Sequence, residues 1–271
     1  MKINGETKLI GFFGSTFRTS KMYAMYNSAF EALGLNYAYI PFMVENIKKG
    51  VEAVRNLCIH AIGVTIPFKI SIIPFLDELD KDAKRVGAVN VVINNNGKLI
   101  GGNTDGKGGV RALKEKTEVK NKRIILLGAG GAARAIAFAI KDEGGKLTIL
   151  NRTLNEAKKL AEAVVCHFGG LKKLSKLLPT TDILINSTSV GMGPNINQSL
   201  VDKNLLHKEL IVMDIVSNPK ETKLLREAKE SGCHVIFADR MLLWQGVLKF
   251  KLYTGIEPPV EVMEKALKET T

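Results

Sequence analysis

Three cysteines, Cys58, Cys166 and Cys233, are all this chain contains, and they stand far apart with no paired spacing. That argues against a zinc cluster and a disulfide framework, so no metal is expected and a reduced, cytoplasmic setting is. No apolar run reaches the roughly 18 to 20 residues of a membrane span. The amino terminus also lacks the charged-then-apolar order of a secretory signal, so the expectation is a soluble, unprocessed chain with no membrane partner. Clustered charge is missing too. Basic residues outnumber acidic ones 39 to 27, for a net charge of +12, yet the lysines are scattered. The densest group, Lys158-Lys159 with Lys172-Lys173 and Lys176, has no aromatics interleaved and reads as a solvated face, not a nucleic-acid surface. A diffuse positive field would still draw in an anionic small molecule. No internal repeat or low-complexity segment is visible.

What is present is 271 residues at 45% apolar composition, enough for a substantial core and a good fit to two domains. Strand and helix signals alternate through the first hundred residues: Lys8 to Phe13 extended, Lys21 to Leu33 helical, Tyr37 to Pro41 extended, Val44 to Leu57 helical, Ala61 to Thr65 extended. This predicts a parallel α/β sheet. Pro67 is expected at the first position of a helix running toward Asp77, with a kink or break at Pro74. Val89 to Ile93 and Lys98 to Ile100 read as a hairpin around Asn94-Asn95-Asn96-Gly97. An amphipathic stretch from Asp105 through Lys116 follows as a helix crossing between domains.

The second half opens on an apolar strand, Arg123 to Leu127, a turn Gly128-Ala129-Gly130-Gly131-Ala132, and a helix through Ile140. Gly128 suits the tight turn, Gly130 lets the backbone approach a pyrophosphate, and small Ala133 lets the helix pack on the strand. The helix amino terminus then faces the phosphates. At the end of the next strand an NAD site would place an acidic side chain; here stand Asn151, Arg152 and Thr153, and the Arg152 fork suits a 2′-phosphate. The cofactor read from these residues is NADP. Further strands at Lys146 to Leu150, Ile183 to Asn186, Ile211 to Ile215 and His234 to Phe237 bring the total to five, a doubly wound Rossmann sheet. The expected division is an NADP-binding domain over 104–238 and a substrate domain over 1–103, completed by helices in 239–271 that return to it.

Hydride exchange between a nicotinamide and an alcohol carbon needs a side chain that exchanges the hydroxyl proton. Lys69 follows a strand carboxyl end, where ligands collect in α/β sheets, and neighbours Ile66, Phe68 and Ile70 are expected to desolvate it. Asp105 begins the crossing helix, where the dipole favours its charged form. An exposed lysine and a helix-capping aspartate are the plain alternatives.

The strings Val64-Thr65-Ile66-Pro67-Phe68-Lys69, Gly87-Ala88-Val89-Asn90, Gly102-Asn103-Thr104-Asp105, Asn151-Arg152-Thr153, Asn186-Ser-Thr-Ser-Val-Gly191-Met192 and Met241-Leu-Leu-Trp-Gln245-Gly246 occur in the order found in shikimate dehydrogenases. The chain resembles that family over nearly its whole length. The resemblance implies NADP-dependent, reversible reduction of 3-dehydroshikimate to shikimate, a step of aromatic amino-acid biosynthesis. It assigns Lys69 as acid/base, paired with Asp105, which also binds substrate hydroxyls. It places Thr65, Asn90 and Gln245 on the substrate as well. Gly128, Ala129, Gly130, Gly131 and Ala132 would hold the pyrophosphate, Asn151, Arg152 and Thr153 the 2′-phosphate end, and Thr188 and Met192 the nicotinamide side.

The departures bear on specificity. Of two serines that grip the substrate carboxylate in the family, Ser20 remains and Met22 replaces the other, leaving Ser15, Thr16, Arg18 or Thr19 as alternative donors. Ser217 stands where relatives usually carry a substrate-contacting tyrosine, and Ala238 replaces a glycine. The alternative readings are therefore a similar enzyme acting on quinate or another ring hydroxy acid, and a non-catalytic NADP-binding protein, against which Lys69 and Asp105 count. Oligomeric state stays open between monomer and homodimer.

Overall fold

The computed structural model describes residues 3–15 and 20–270. These fall into two compact units, one comprising residues up to Thr104 and from Gln245 onward, the other Asp105–Trp244. The division lies inside the helix Ala238–Thr254.

The first unit is built on strands β1 (Lys8–Gly14), β2 (Tyr37–Met43), β3 (Ala61–Val64), β4 (Glu78–Leu79), β5 (Val91–Asn95) and β6 (Lys98–Gly102), in the order β2-β1-β3-β5-β6-β4. One face of this sheet is sealed by a core of Phe13, Val51, Val54, Ile62, Val64, Phe68, Val89, Val92 and Leu99. Helix Ile47–Asn56 supplies Val51 and Val54 to that core, and the Asn46 side chain caps it by accepting from Lys49 N at 3.1 Å. The other face carries Tyr26, Tyr39 and Tyr253, all fully buried, with ring centroids 4.5 to 6.3 Å apart. Alternation along each extended strand is what separates the two sets.

The parallel pairing expected of the first three strands holds, and the expected hairpin adds antiparallel pairs beside them. β1 pairs parallel with β2 and β3, but β5 runs antiparallel to both β3 and β6. A two-residue Asn96-Gly97 connection between β5 and β6 forces the hairpin, and no crossover helix is available to make that pair parallel. Pro67 differs from expectation: it precedes the helix Phe68–Ser71 as its cap residue, and Pro74 lies in a separate turn of 3₁₀ helix, Ile73–Phe75. The segment thus ends short of Asp77 because Pro74 offers no amide to continue it.

The second unit is a six-stranded, fully parallel sheet: β7 (Arg123–Leu127), β8 (Lys146–Asn151), β9 (His167–Gly170), β10 (Ile183–Asn186), β11 (Ile211–Asp214) and β12 (His234–Ile236), ordered β12-β11-β10-β7-β8-β9. That is the doubly wound order of a dinucleotide-binding fold, with its switch point between β7 and β10. The expected count of five missed β9. Its sequence, His167-Phe168-Gly169-Gly170, looks like a turn, and it holds as an edge strand because it pairs with β8. Apolar cores cover both faces, one around Leu126, Ile136, Ile149 and Ile185, the other around Leu127, Leu184, Val212 and Leu225. Helices Asp105–Lys114 and Gly131–Asp142 approach so closely that a Cβ on Gly106 would lie 2.2 Å from the Ala135 carbonyl oxygen.

Candidate active site

Four of the residues expected at the substrate gather at the carboxyl end of β3, three of them through backbone hydrogen bonds. Phe68 N donates to the Thr65 carbonyl at 2.9 Å, starting the turn that carries Lys69. The Lys69 carbonyl accepts from Val89 N at 2.8 Å, the Asn90 carbonyl from Val64 N at 2.9 Å, and Asn90 N donates to Gly102 at 3.0 Å. Thr65, Lys69 and Asn90 are therefore neighbours by construction of the sheet. Gln245 joins them: Asn90 Nδ2 donates to its Oε1 at 3.3 Å. Asn90 is fully buried, so its amide must be satisfied inside the protein.

The expected shielding of Lys69 is corrected as well. Ile66 and Ile70 are 62% and 65% exposed, and Phe68 alone of the three is buried. Successive side chains fan out by roughly 100° around a helical turn, so sequence neighbours cannot all wrap one side chain. Lys69 itself is half-buried. Asp105 follows Thr104 in the chain, is the first residue of helix Asp105–Lys114, and is 4% exposed.

Ser20 caps helix Lys21–Ala32, its hydroxyl accepting from Met22 N at 3.3 Å. The same helix reaches the return segment, where the Tyr26 hydroxyl donates to the Gly246 carbonyl at 3.2 Å. Met22 is buried against that glycine: a Cβ on Gly246 would meet Met25 Cε at 2.2 Å and Met22 Cε at 3.5 Å. Of the alternative carboxylate donors, Ser15 is exposed, while Thr16, Arg18 and Thr19 lie outside the described residues. Ser217 is exposed in the second unit, and Ala238 is buried at the start of its helix.

At the cofactor side, the turn after β7 has the shape its glycines suggest. Gly128 holds φ at +109°, and its N–H donates to the Leu150 carbonyl at 2.9 Å, placing the turn beside the end of β8. Gly130 caps helix Gly131–Asp142 without a side-chain hydrogen bond, so the first amides of a 12-residue helix are not taken by a capping side chain. A Cβ on Gly130 or Gly131 would meet no atom within 4 Å. Ala133 is fully buried, as close helix packing requires, whereas Ala129 and Ala132 are half-buried. At the end of β8 the Asn151 side chain donates to the Thr153 carbonyl at 3.1 Å, and Arg152 is exposed and forms no ion pair with the described residues. Uncapped amides, open space beside two glycines and an unpaired guanidinium at the next strand end fit a dinucleotide bearing an extra phosphate.

The loop after β10 closes on the same turn. Ser187 Oγ donates to the Leu127 carbonyl at 2.5 Å, and Thr188 Cγ2 would lie 3.1 Å from a Cβ on Gly128. The Thr188 hydroxyl is occupied in shaping its loop, donating to Asn186 Oδ1 at 2.7 Å and accepting from Val190 N at 3.2 Å. Met192 is 46% exposed beyond it. Behind the loop is a network that the sequence reading missed. Asp214 Oδ1 accepts from Asn186 Nδ2 and Val216 N, both at 3.0 Å, and Oδ2 accepts from the Thr222 hydroxyl at 2.7 Å. Burial pushes the Asp214 carboxyl above the usual range, against the pull of those three donors. Thr104 was also overlooked, although it stands inside a string singled out for its neighbours.

Comparison with known proteins finds relatives along nearly the whole chain. Residues 12–92 match the shikimate dehydrogenase substrate-binding domain, 111–231 the shikimate/quinate 5-dehydrogenase family, and 240–268 the shikimate 5′-dehydrogenase C-terminal domain. The chain is 42% identical over 280 residues to the shikimate dehydrogenase (NADP(+)) of Carboxydothermus hydrogenoformans, covering 98% of this chain and 99% of that one. A crystal structure of a shikimate dehydrogenase in complex with NADP+ superposes with a TM-score of 0.93 at 42% identity, covering 99% of this chain and 97% of the other. The shikimate 5-dehydrogenase of Listeria monocytogenes, solved with shikimate and NAD, gives 0.92 at 36% identity over 98% of both chains. Matched in both units and along almost its entire length, the chain belongs to the shikimate dehydrogenase family, as an NADP-dependent oxidoreductase acting on a CH–OH group.

Proposed function

We propose that the protein interconverts 3-dehydroshikimate and shikimate in the cytoplasm, as a monomer or homodimer, using Lys69 as the acid/base and Asp105 as its partner on the substrate. The observation that carries the reading is the gathering of Thr65, Lys69, Asn90 and Gln245 at one strand end, the first three by backbone bonds and Gln245 through the side chain of buried Asn90. Among the described residues no helix is long and apolar enough to cross a membrane.

NADPH, held by residues 128–132 with Arg152 at its 2′-phosphate, supplies the hydride when bound. In the reducing direction the Lys69 ammonium gives a proton to the carbonyl oxygen as that oxygen becomes the hydroxyl. In the oxidising direction the neutral amine takes it back. Asp105 accepts from a substrate hydroxyl. Thr65, Asn90 and Gln245 orient the ring through its hydroxyls, and Ser20 faces the carboxylate.

Met22 and Ser217 favour a second reading, the same chemistry on quinate or another ring hydroxy acid. The test is NADP+ reduction assayed with shikimate and with quinate, repeated for Lys69→Ala. We expect turnover of shikimate, and a variant that binds NADP+ normally but loses at least about a hundredfold in kcat, the range typical of general acid/base groups. A higher kcat/KM for quinate would select the second reading. Unchanged turnover in the variant would remove Lys69 from the mechanism, and no turnover of either acid by the unaltered chain would leave an NADP-binding protein.

A further inference from the structure

Thr104 touches two of the residues assigned to the substrate. Its backbone N–H donates to Asn90 Oδ1 at 3.0 Å, and its hydroxyl accepts from Asn90 Nδ2 at 3.1 Å. The hydroxyl lies 3.2 Å from the Gln245 carbonyl oxygen and 3.4 Å from Asn90 Oδ1, so its single proton goes to the nearer acceptor, Gln245.

These contacts fix a direction. A backbone N–H can only donate, so the atom facing Thr104 N must be the oxygen of the Asn90 amide, and which end of that amide is nitrogen follows without choice. The nitrogen end is then the one that meets Gln245 at 3.3 Å, and Gln245 has to answer with Oε1. Its amide nitrogen is left as the end turned away from Asn90. Asn90 is fully buried and Thr104 is 5% exposed, so water does not compete for this chain of donors.

We propose that Thr104 is a positioning residue through its hydroxyl: bridging Asn90 Nδ2 and the Gln245 carbonyl, it holds the Asn90 amide, whose direction the backbone N–H fixes, against Gln245, so that Gln245 turns its amide N–H donors to a hydroxyl oxygen of the substrate. The proposal rests on the function assigned above. It separates Thr104 from a threonine that merely fills space, because a filler would affect melting and not the affinity for one substrate.

The experiment compares Thr104→Val, which keeps the size and loses the hydroxyl, with Thr104→Ser, which keeps the hydroxyl, in the full chain with shikimate and NADP+. We expect valine to raise KM for shikimate about tenfold, the size of one lost buried hydrogen bond, with KM for NADP+ unmoved and kcat changed far less. Serine should restore the wild-type KM. Melting temperature and NADP+ titration report whether each variant is folded, and if valine unfolds the chain, Thr104→Ala against Thr104→Ser gives the same contrast. A wild-type KM in the variant lacking the hydroxyl, an equal rise for both substrates, or no rescue by serine would overturn the proposal while leaving the enzyme assignment standing. An unaltered chain inactive on shikimate would overturn that assignment and this proposal with it.

Discussion

Ser187 Oγ sits 2.8 Å from the point where a Cβ on Gly128 would lie, and Gly128 holds a backbone conformation that side chains rarely adopt. Two separate penalties therefore meet at one position. Gly128→Ala should lose about 1 to 3 kcal/mol of stability and more than about tenfold in NADP+ affinity, through strain and displacement of the 187–188 loop. Gly130→Ala makes the contrast: its φ is −78° and its side is open, so melting should hold while NADP+ affinity falls. Thermal melts and NADP+ titrations of the two variants check this, and equal melting losses would contradict it.

Arg152 is the exposed cation at the end of β8, unpaired among the described residues. Its replacement by alanine should weaken NADP+ by about ten- to hundredfold, the size of a lost charge-assisted bond, and leave NAD+ nearly unchanged. Parallel titrations with both dinucleotides decide the matter; the same loss for each would place the 2′-phosphate elsewhere.

Asp214 carries a stability signature with pH. Its folded carboxyl ionises at higher pH than the unfolded one because burial disfavours the charge. The native state therefore holds the proton longer, and stability falls as pH rises from about 3.9 through the raised value, then levels. Asp214→Asn removes that slope. Urea midpoints measured from mildly acidic to neutral pH should shift in favour of the variant as pH rises. A constant difference between the two proteins would show that Asp214 does not titrate in this window.

Met22 is buried beside Gly246, one residue from Gln245. Met22→Ser returns the second serine hydroxyl that the family resemblance implies for the carboxylate, but leaves a void where the thioether packed. We expect KM for shikimate to fall by up to about tenfold and stability to drop by about 2 kcal/mol or more. Kinetics and melting on the same preparation test both, and an unchanged KM would mean that the carboxylate is held from another side.

Much of this architecture was legible from local pattern. Isoleucine and leucine runs marked β7, β10 and β11, and the glycine turn after β7 announced itself because φ above zero excludes most other residues. Where local cues misled, the deciding partner was distant. His167 to Gly170 is a strand only because β8 offers it an edge. Closeness in number misled at Lys69 too: Ile66 and Ile70 are exposed and do not enclose it.

The order of residues by itself determined the doubly wound nucleotide unit, the NADP preference read from Arg152 and the missing acid, and the family. Each of these depends on a short segment whose conformation or charge is a local property. Tertiary structure alone decided that Thr104 would stand between Asn90 and Gln245, 141 positions apart from the latter, and that Asp214 would be buried among Asn186, Val216 and Thr222. Hydrogen-bond direction and desolvation depend on which groups meet in space, and no spacing along the chain encodes that meeting.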